Sequence, residues 1–143
     1  MTQSSPVEIF DSLHDLLHLF RTRTRNRIEL LHPELTLNEM RVLMYTGRSP
    51  GITQKELVAR SHTDKAQMAR IIVGLENRVL LERIPAASDK RVRCLYLSVR
   101  GRELFAQLRD LQHEIGSELL KNLPMKVQKQ MLCSFQQACR EAN

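Results

Sequence analysis

Val7, Phe10, Leu13, Leu17, Phe20, Ile28 and Leu31 recur mostly three or four residues apart. That is the stripe of one long helix over Val7–Leu31, and Pro33 is a natural stop just beyond it. Thr36 and Glu39 then have the spacing of a capping box, with Leu35 and Met40 placed as its hydrophobic staple. A second helix is predicted from about Leu37 to Gly47, closed by the turn cluster Ser49-Pro50-Gly51. The start signal repeats at Thr53 and Glu56, flanked by Ile52 and Leu57, and predicts a short helix over about Gln54–Arg60. Ser61-His62-Thr63 breaks it. Asp64 caps the next helix, with Gln67 at the reciprocal position, and Met68, Ile72 and Leu75 turn inward before the helix ends near Asn77. Two short helices meeting across three residues have the spacing of a helix-turn-helix.

The period then changes. Leu81–Ile84 and Val92–Leu97 are short runs, partly β-branched or aromatic, separated by the polar stretch Pro85–Lys90. They predict a β-hairpin with a basic tip and, lacking an Asn-Gly turn, a longer loop. Ser98 caps a long helix whose seam is Leu104, Leu108, Leu111, Ile115 and Leu119. Pro124 opens a last helix with Val127, Met131, Leu132, Phe135 and Ala138 on one face. The predicted class is mainly α with a small β-hairpin wing: a winged helix-turn-helix between N- and C-terminal helices.

Composition sharpens this picture in two ways. Aromatic residues make up only 4% of the 143 residues and Trp is absent, so the core must be aliphatic. No run of 18 apolar residues predicts a membrane span, and the polar stretch Met1–Pro6 does not read as a signal peptide. A cytoplasmic protein is expected. The charge is unevenly placed. Between Ile52 and Arg102 eleven Lys and Arg face five acids, which accounts for the whole formal charge of +6. A basic excess confined to the helix-turn-helix, the hairpin and the following helix start suits a polyanion, because neutralised phosphates release counterions.

Double-stranded DNA is therefore the expected partner. With Met68, Ile72 and Leu75 facing inward, Lys65, Ala66, Gln67 and Arg70 are left for base edges in the major groove. Arg70 is the leading reader, since a guanidinium can bond guanine O6 and N7 together; the alternative is a salt bridge on the helix surface. Gln67 either reads adenine or completes the cap of its own helix. Thr53 and Lys55 are candidate phosphate contacts at the preceding helix start. Lys90, Arg91 and Arg93 make the hairpin basic.

An enzyme is not expected. There is no Gly-rich phosphate loop, no His-Glu-x-x-His and no Gly-x-Ser-x-Gly. His14 and His18, four apart, are read as surface histidines, not as half of a metal site, and no cofactor is expected. A winged helix serving as a protein-interaction module is the competing reading.

The runs Asp64-Lys65-Ala66-Gln67-Met68-Ala69-Arg70 through Leu75-Glu76, Leu81-Glu82-Arg83, Ala87-Ser88-Asp89-Lys90-Arg91 and Leu97-Ser98 to Gly101 resemble the MarR family of bacterial regulators, SlyA-like members above all. The resemblance spans essentially the whole chain, and Asp89-x-Arg91 after a helix-turn-helix is its most specific mark. It implies that Arg91 enters the minor groove while Asp89 orients it. Val79 departs from the pattern, since many relatives have Gly after the recognition helix. The resemblance further implies a homodimer: residues 1–34 as an N-terminal dimerisation helix, 35–99 as the DNA-binding domain and 100–143 as C-terminal dimerisation helices. It also implies a response to a small phenolic or aromatic ligand, or to oxidants at a thiol. Cys94, Cys133 and Cys139 show no CxxC spacing, and none lies in the first helix, so a ligand is the favoured signal.

Overall fold

A computed structural model describes residues 5–143. Met1–Ser4, the start of the polar stretch read above as no leader, lie outside the described residues. Six helices and three short strands follow in the order α1 (Pro6–Leu31), α2 (Leu37–Arg48), β1 (Ile52–Thr53), α3 (Gln54–Ser61), α4 (Lys65–Asn77), β2 (Leu81–Pro85), β3 (Arg93–Leu97), α5 (Val99–Leu119) and α6 (Met125–Ala142). The described residues form two compact units. One is Arg25–Leu111; the other joins the chain up to Thr24 with Gln112–Asn143.

Side-chain caps start the helices of the larger unit. The Thr36 hydroxyl accepts the Glu39 N–H at 3.1 Å, and the Glu39 carboxylate accepts the Thr36 N–H at 3.0 Å, so the predicted box is complete. At α3 only half of it forms. Thr53 Oγ1 accepts the Glu56 N–H at 3.2 Å, but its own hydrogen goes to Glu56 Oε1 at 3.1 Å. Asp64 Oδ1 accepts the Gln67 N–H at 2.8 Å, and the Gln67 side chain makes no return bond among the described residues. Left-handed His62, with φ 56°, turns the chain between α3 and α4.

The core is aliphatic, as composition requires. Val42 and Leu43 of α2, Leu57 of α3, and Met68, Ile72 and Leu75 of α4 are buried together with Leu95 of β3 and Leu108 of α5. The inward face predicted for α4 is the one observed. The hairpin is part of a three-stranded antiparallel sheet in the order β1-β3-β2. Ile52 pairs with Leu95 and Thr53 with Cys94 on one side of β3, while Leu81–Pro85 pair with Leu97–Arg93 on the other. β1 is an addition to the predicted elements, because two residues are too few to show a period. Gly51, at φ 88°, turns the chain into β1, and its N–H donates to the Leu95 carbonyl at 2.8 Å.

Helix α4 ends in a Schellman motif. The Leu80 N–H donates to the Leu75 carbonyl and the Val79 N–H to that of Glu76, both at 2.9 Å, while Leu75 and Leu80 are both buried. Val79 holds the left-handed position at φ 59°, where glycine carries no Cβ penalty and a β-branched residue is strained. The departure noted in the sequence therefore leaves the turn intact and stores strain in it. Because the Val79 side chain is 61% exposed, little packing compensates. Val79→Gly is expected to stabilise the fold by about 1 kcal/mol, the relieved strain outweighing the added freedom of the unfolded chain. Urea denaturation of the two proteins checks this, and a lower midpoint for the glycine variant would refute it.

In the smaller unit, Phe20 of α1 lies against Gly116 of α5. Pro124 is the N-cap of α6 and not its first residue, because its ψ of 146° is extended. No residue of α6 is buried: Leu132 is 56% and Phe135 39% exposed. Val7, Phe10 and Leu17 of α1 are exposed as well. Among the described residues no helix is long and apolar enough to cross a membrane.

Candidate nucleic-acid interface

Every residue singled out for DNA contact lies in the larger unit, at the start of α3, on α4 or on the wing. Lys65, Ala66 and Arg70 are exposed on α4 and Gln67 is half-buried. Neither Arg70 nor the Gln67 side chain has a partner among the described residues. The surface salt bridge that is the alternative for Arg70 is thus not formed there, and the second half of the Gln67 cap is missing. Both groups keep their full hydrogen-bonding capacity.

Sheet pairing brings the start of α3 to the base of the wing. Thr53, the N-cap of α3, faces Cys94, and Arg93 precedes Cys94 on the same strand. The Thr53 hydroxyl is committed to Glu56 in both directions, so the outward-facing groups of this turn are its free backbone N–H donors and the exposed Lys55.

The wing tip runs from Ala86 to Val92 and is closed by the Ala86 N–H on the Val92 carbonyl at 2.8 Å. Within it Asp89 holds a local turn. Its Oδ1 accepts the Arg91 N–H at 3.0 Å, and its carbonyl accepts the Val92 N–H, also at 3.0 Å. Asp89 Oδ1 also lies 3.6 Å from Arg91 Nε, a loose approach that leaves the Arg91 side chain 96% exposed. An acid in this place therefore organises the backbone of the tip. Lys90 and Arg93 are exposed and have no partner among the described residues.

The basic excess divides according to its partners. Arg78 Nη1 donates to Glu39 Oε2 at 2.6 Å, tying the exit of α4 to the start of α2. Arg83 Nε donates to Glu76 at 2.8 Å, Arg102 to the Leu97 carbonyl at 3.2 Å, and Arg60 to the Ser49 hydroxyl at 3.3 Å. These four are engaged within the fold. Lys55, Lys65, Arg70, Lys90 and Arg93 have no such partner among the described residues. Sequence reasoning misses the pair of Glu39 and Arg78 because they stand 39 positions apart; only the acid at the third position of the Thr36 box hints at a second role.

Ser98 is a further organising residue. Its hydroxyl donates to the Val79 carbonyl at 2.6 Å and accepts the Gly101 N–H at 2.9 Å, and its own N–H donates to the Leu80 carbonyl at 3.1 Å. The start of α5 is thereby fastened to the exit of α4. A cavity of about 260 Å³ opens beside this junction, lined among others by Glu34, Arg78, Leu80, Arg100, Glu103 and Leu104. His14 and His18 are exposed on α1, and no group of three metal-ligating side chains occurs among the described residues.

Known proteins share this arrangement. Residues 34–92, the span from the loop before α2 to the wing tip, match the sequence profile of the MarR family. The transcriptional regulator HosA of Escherichia coli O157:H7 is 31% identical over 119 residues, 82% of this chain and 87% of HosA. A crystal structure of MarR superposes with a TM-score of 0.66 at 26% identity, over 91% of this chain and 96% of that one. A point mutant of S. aureus MepR bound to an oligodeoxyribonucleotide shares the fold with a TM-score of 0.58 at 17% identity, covering 99% of this chain and 100% of MepR. With a capped helix-turn-helix, a three-stranded wing and a regulator of nearly its own length as a relative, the chain belongs to the MarR family of transcriptional regulators, which are not enzymes.

Proposed function

We propose that the protein grips a pseudo-palindromic operator as a homodimer, working in the cytoplasm as a repressor relieved by a small phenolic or aromatic acid. In this reading α4 enters the major groove with Lys65, Ala66, Gln67 and Arg70 toward the bases. The start of α3, at Thr53 and Lys55, meets phosphates. The wing places Arg91 in the minor groove, oriented by Asp89 and flanked by Lys90 and Arg93 on the backbone. A narrow A·T-rich groove concentrates negative potential and attracts such an arginine.

The observation that carries the reading is the division of the cations. Arg60, Arg78, Arg83 and Arg102 are spent within the fold, while Lys55, Lys65, Arg70, Lys90 and Arg93, and Arg100 beside the cavity, are left bare among the described residues. MepR bound to an oligodeoxyribonucleotide supports the same use of this fold. The homodimer is supported by α6, an 18-residue helix with no buried side chain, and by the exposed Val7, Phe10 and Leu17 of α1. A second copy related by a two-fold axis would cover these faces and set two half-sites about one helical turn, roughly 10 bp, apart. Residues 1–34 and 100–143 would then be the dimerisation segments. For the ligand, the support is the resemblance to the family; the cavity beside Arg100 sets Leu80 and Leu104 next to that cation but also carries the carboxylates of Glu34 and Glu103, which oppose an acid. A ligand acts by favouring a spacing of the two α4 helices that misfits the operator.

Sequencing genomic DNA pulled down with the protein identifies the operator, and titration of that duplex at increasing salt tests the interface. Lys55, Lys90 and Arg93 on two protomers give about six phosphate contacts, so log affinity is expected to fall against log salt with a slope of about −5. A flat dependence, or no enrichment of DNA, favours a protein-interaction module instead. An aromatic acid that binds without lowering DNA affinity contradicts the proposed relief.

A further inference from the structure

We propose that Val73, together with Ala66 and Ala69, forms an apolar strip on α4 that reads thymine methyl groups and so selects operators with thymines at set positions. The proposal rests on α4 lying in the major groove, as argued above.

Buried Met68, Ile72 and Leu75 fix the inner face of α4. At about 100° per residue the opposite face carries Ala66, Arg70, Val73 and Asn77, and all four are exposed. This outer face is not uniformly polar. Gln67 and Arg70 lie toward one side, while Ala66, Ala69 and Val73 form a line on the other at spacings of three and four. Val73 is 45% exposed. It stands on the same outward stripe as Arg70, and valine is a poorer helix former than the Ala, Lys or Glu that suits a solvated position. A local rule broken without a packing gain marks a place to look for function.

The chemistry fits one occupant. In the major groove a T·A pair presents the C5-methyl of thymine beside its O4 acceptor, and cytosine has no methyl there. A polar line reads acceptors and donors, and an adjacent apolar line reads methyls. From Ala66 to Val73 the helix rises about 10 Å, the length of about three base-pair steps. The bare cations Lys65 and Arg70 on the same helix face a polyanion rather than an apolar protein surface.

The test uses the full-length protein and a duplex selected by it from random sequence, with each thymine replaced in turn by uracil, which removes only the methyl. The expected result is a loss of about fourfold per methyl contacted, the worth of one buried methyl group. It should fall at one or more thymines of each half-site. Val73→Ala, an exposed change whose thermal melt verifies folding, is expected to bind the thymine and uracil duplexes equally at one of those positions. Tight binding that is indifferent to uracil throughout overturns the strip and leaves the DNA-binding reading standing. Uracil sensitivity that persists at every position in Val73→Ala overturns the role of Val73. Failure to bind any duplex overturns both readings.

Discussion

Arg91→Ala is expected to weaken operator binding about a hundredfold while leaving the fold and the oligomeric state unchanged. The side chain is 96% exposed and its approach to Asp89 is loose, so its removal costs the isolated protein almost nothing. On DNA the balance is different. An arginine that reads a groove is worth roughly 1–3 kcal/mol, and a two-fold dimer loses two of them at once. At about 1.4 kcal/mol per protomer the loss is two decades. Asp89→Ala tests the supporting role. It removes the acceptor of the Arg91 N–H, and a smaller loss is expected because the wing tip is loosened and the cation is retained. Anisotropy titrations at one fixed salt concentration measure both, with sedimentation to show that assembly is unchanged. Wild-type affinity in Arg91→Ala would remove Arg91 from the interface.

Gly101→Ala is expected to destabilise the fold by about 3 kcal/mol, lowering its melting temperature by about 10 °C. In most helices this substitution does the reverse, because alanine is the better helix former by up to about 1 kcal/mol. At Gly101 a Cβ would fall on the carbonyl oxygen of Leu80. That carbonyl is not free to move: it accepts the Ser98 N–H, and Ser98 in turn holds the Val79 carbonyl and the Gly101 N–H. Relieving the clash would break the junction between α4 and α5. Gly74→Ala is the internal control. An added Cβ there meets nothing within 4 Å, so the same chemical change is expected to stabilise by up to about 1 kcal/mol. Thermal melts of the two variants shifting in the same direction would contradict the geometry of this junction.

What can be read from the chain follows from how local the cause is. The caps at Thr36, Thr53, Asp64 and Ser98 are bonds across three residues, so spacing alone exposes them. The buried face of α4 follows from period, since Met68, Ile72 and Leu75 can share only one side of a helix. β1 is silent in sequence because its partners Leu95 and Cys94 lie more than 40 positions along the chain and no two-residue run carries a pattern. The left-handed turn at Val79 shows only through the resemblance, for a different reason. Its local preference opposes the conformation, and the conformation is imposed by the Schellman bonds and by the burial of Leu80. In the candidate interface, charge counting cannot separate Arg78 and Arg83, which are spent on Glu39 and Glu76, from Lys65 and Arg70, which are not. Val73 gives no signal of its own because an exposed apolar position on a helix looks, in sequence, like a minor irregularity of its stripe.

Hydroxyl-radical footprinting of the selected operator, with wild type and Arg91→Ala side by side, tests the central claim most directly: one surface built from α4 and the wing spans adjacent grooves of a duplex. The account predicts a two-fold symmetric footprint with half-sites about 10 bp apart. Its outer minor-groove protections should vanish in the variant while the protections flanking the major groove remain. Protection on one side only, or a footprint that Arg91→Ala leaves unaltered, would contradict it.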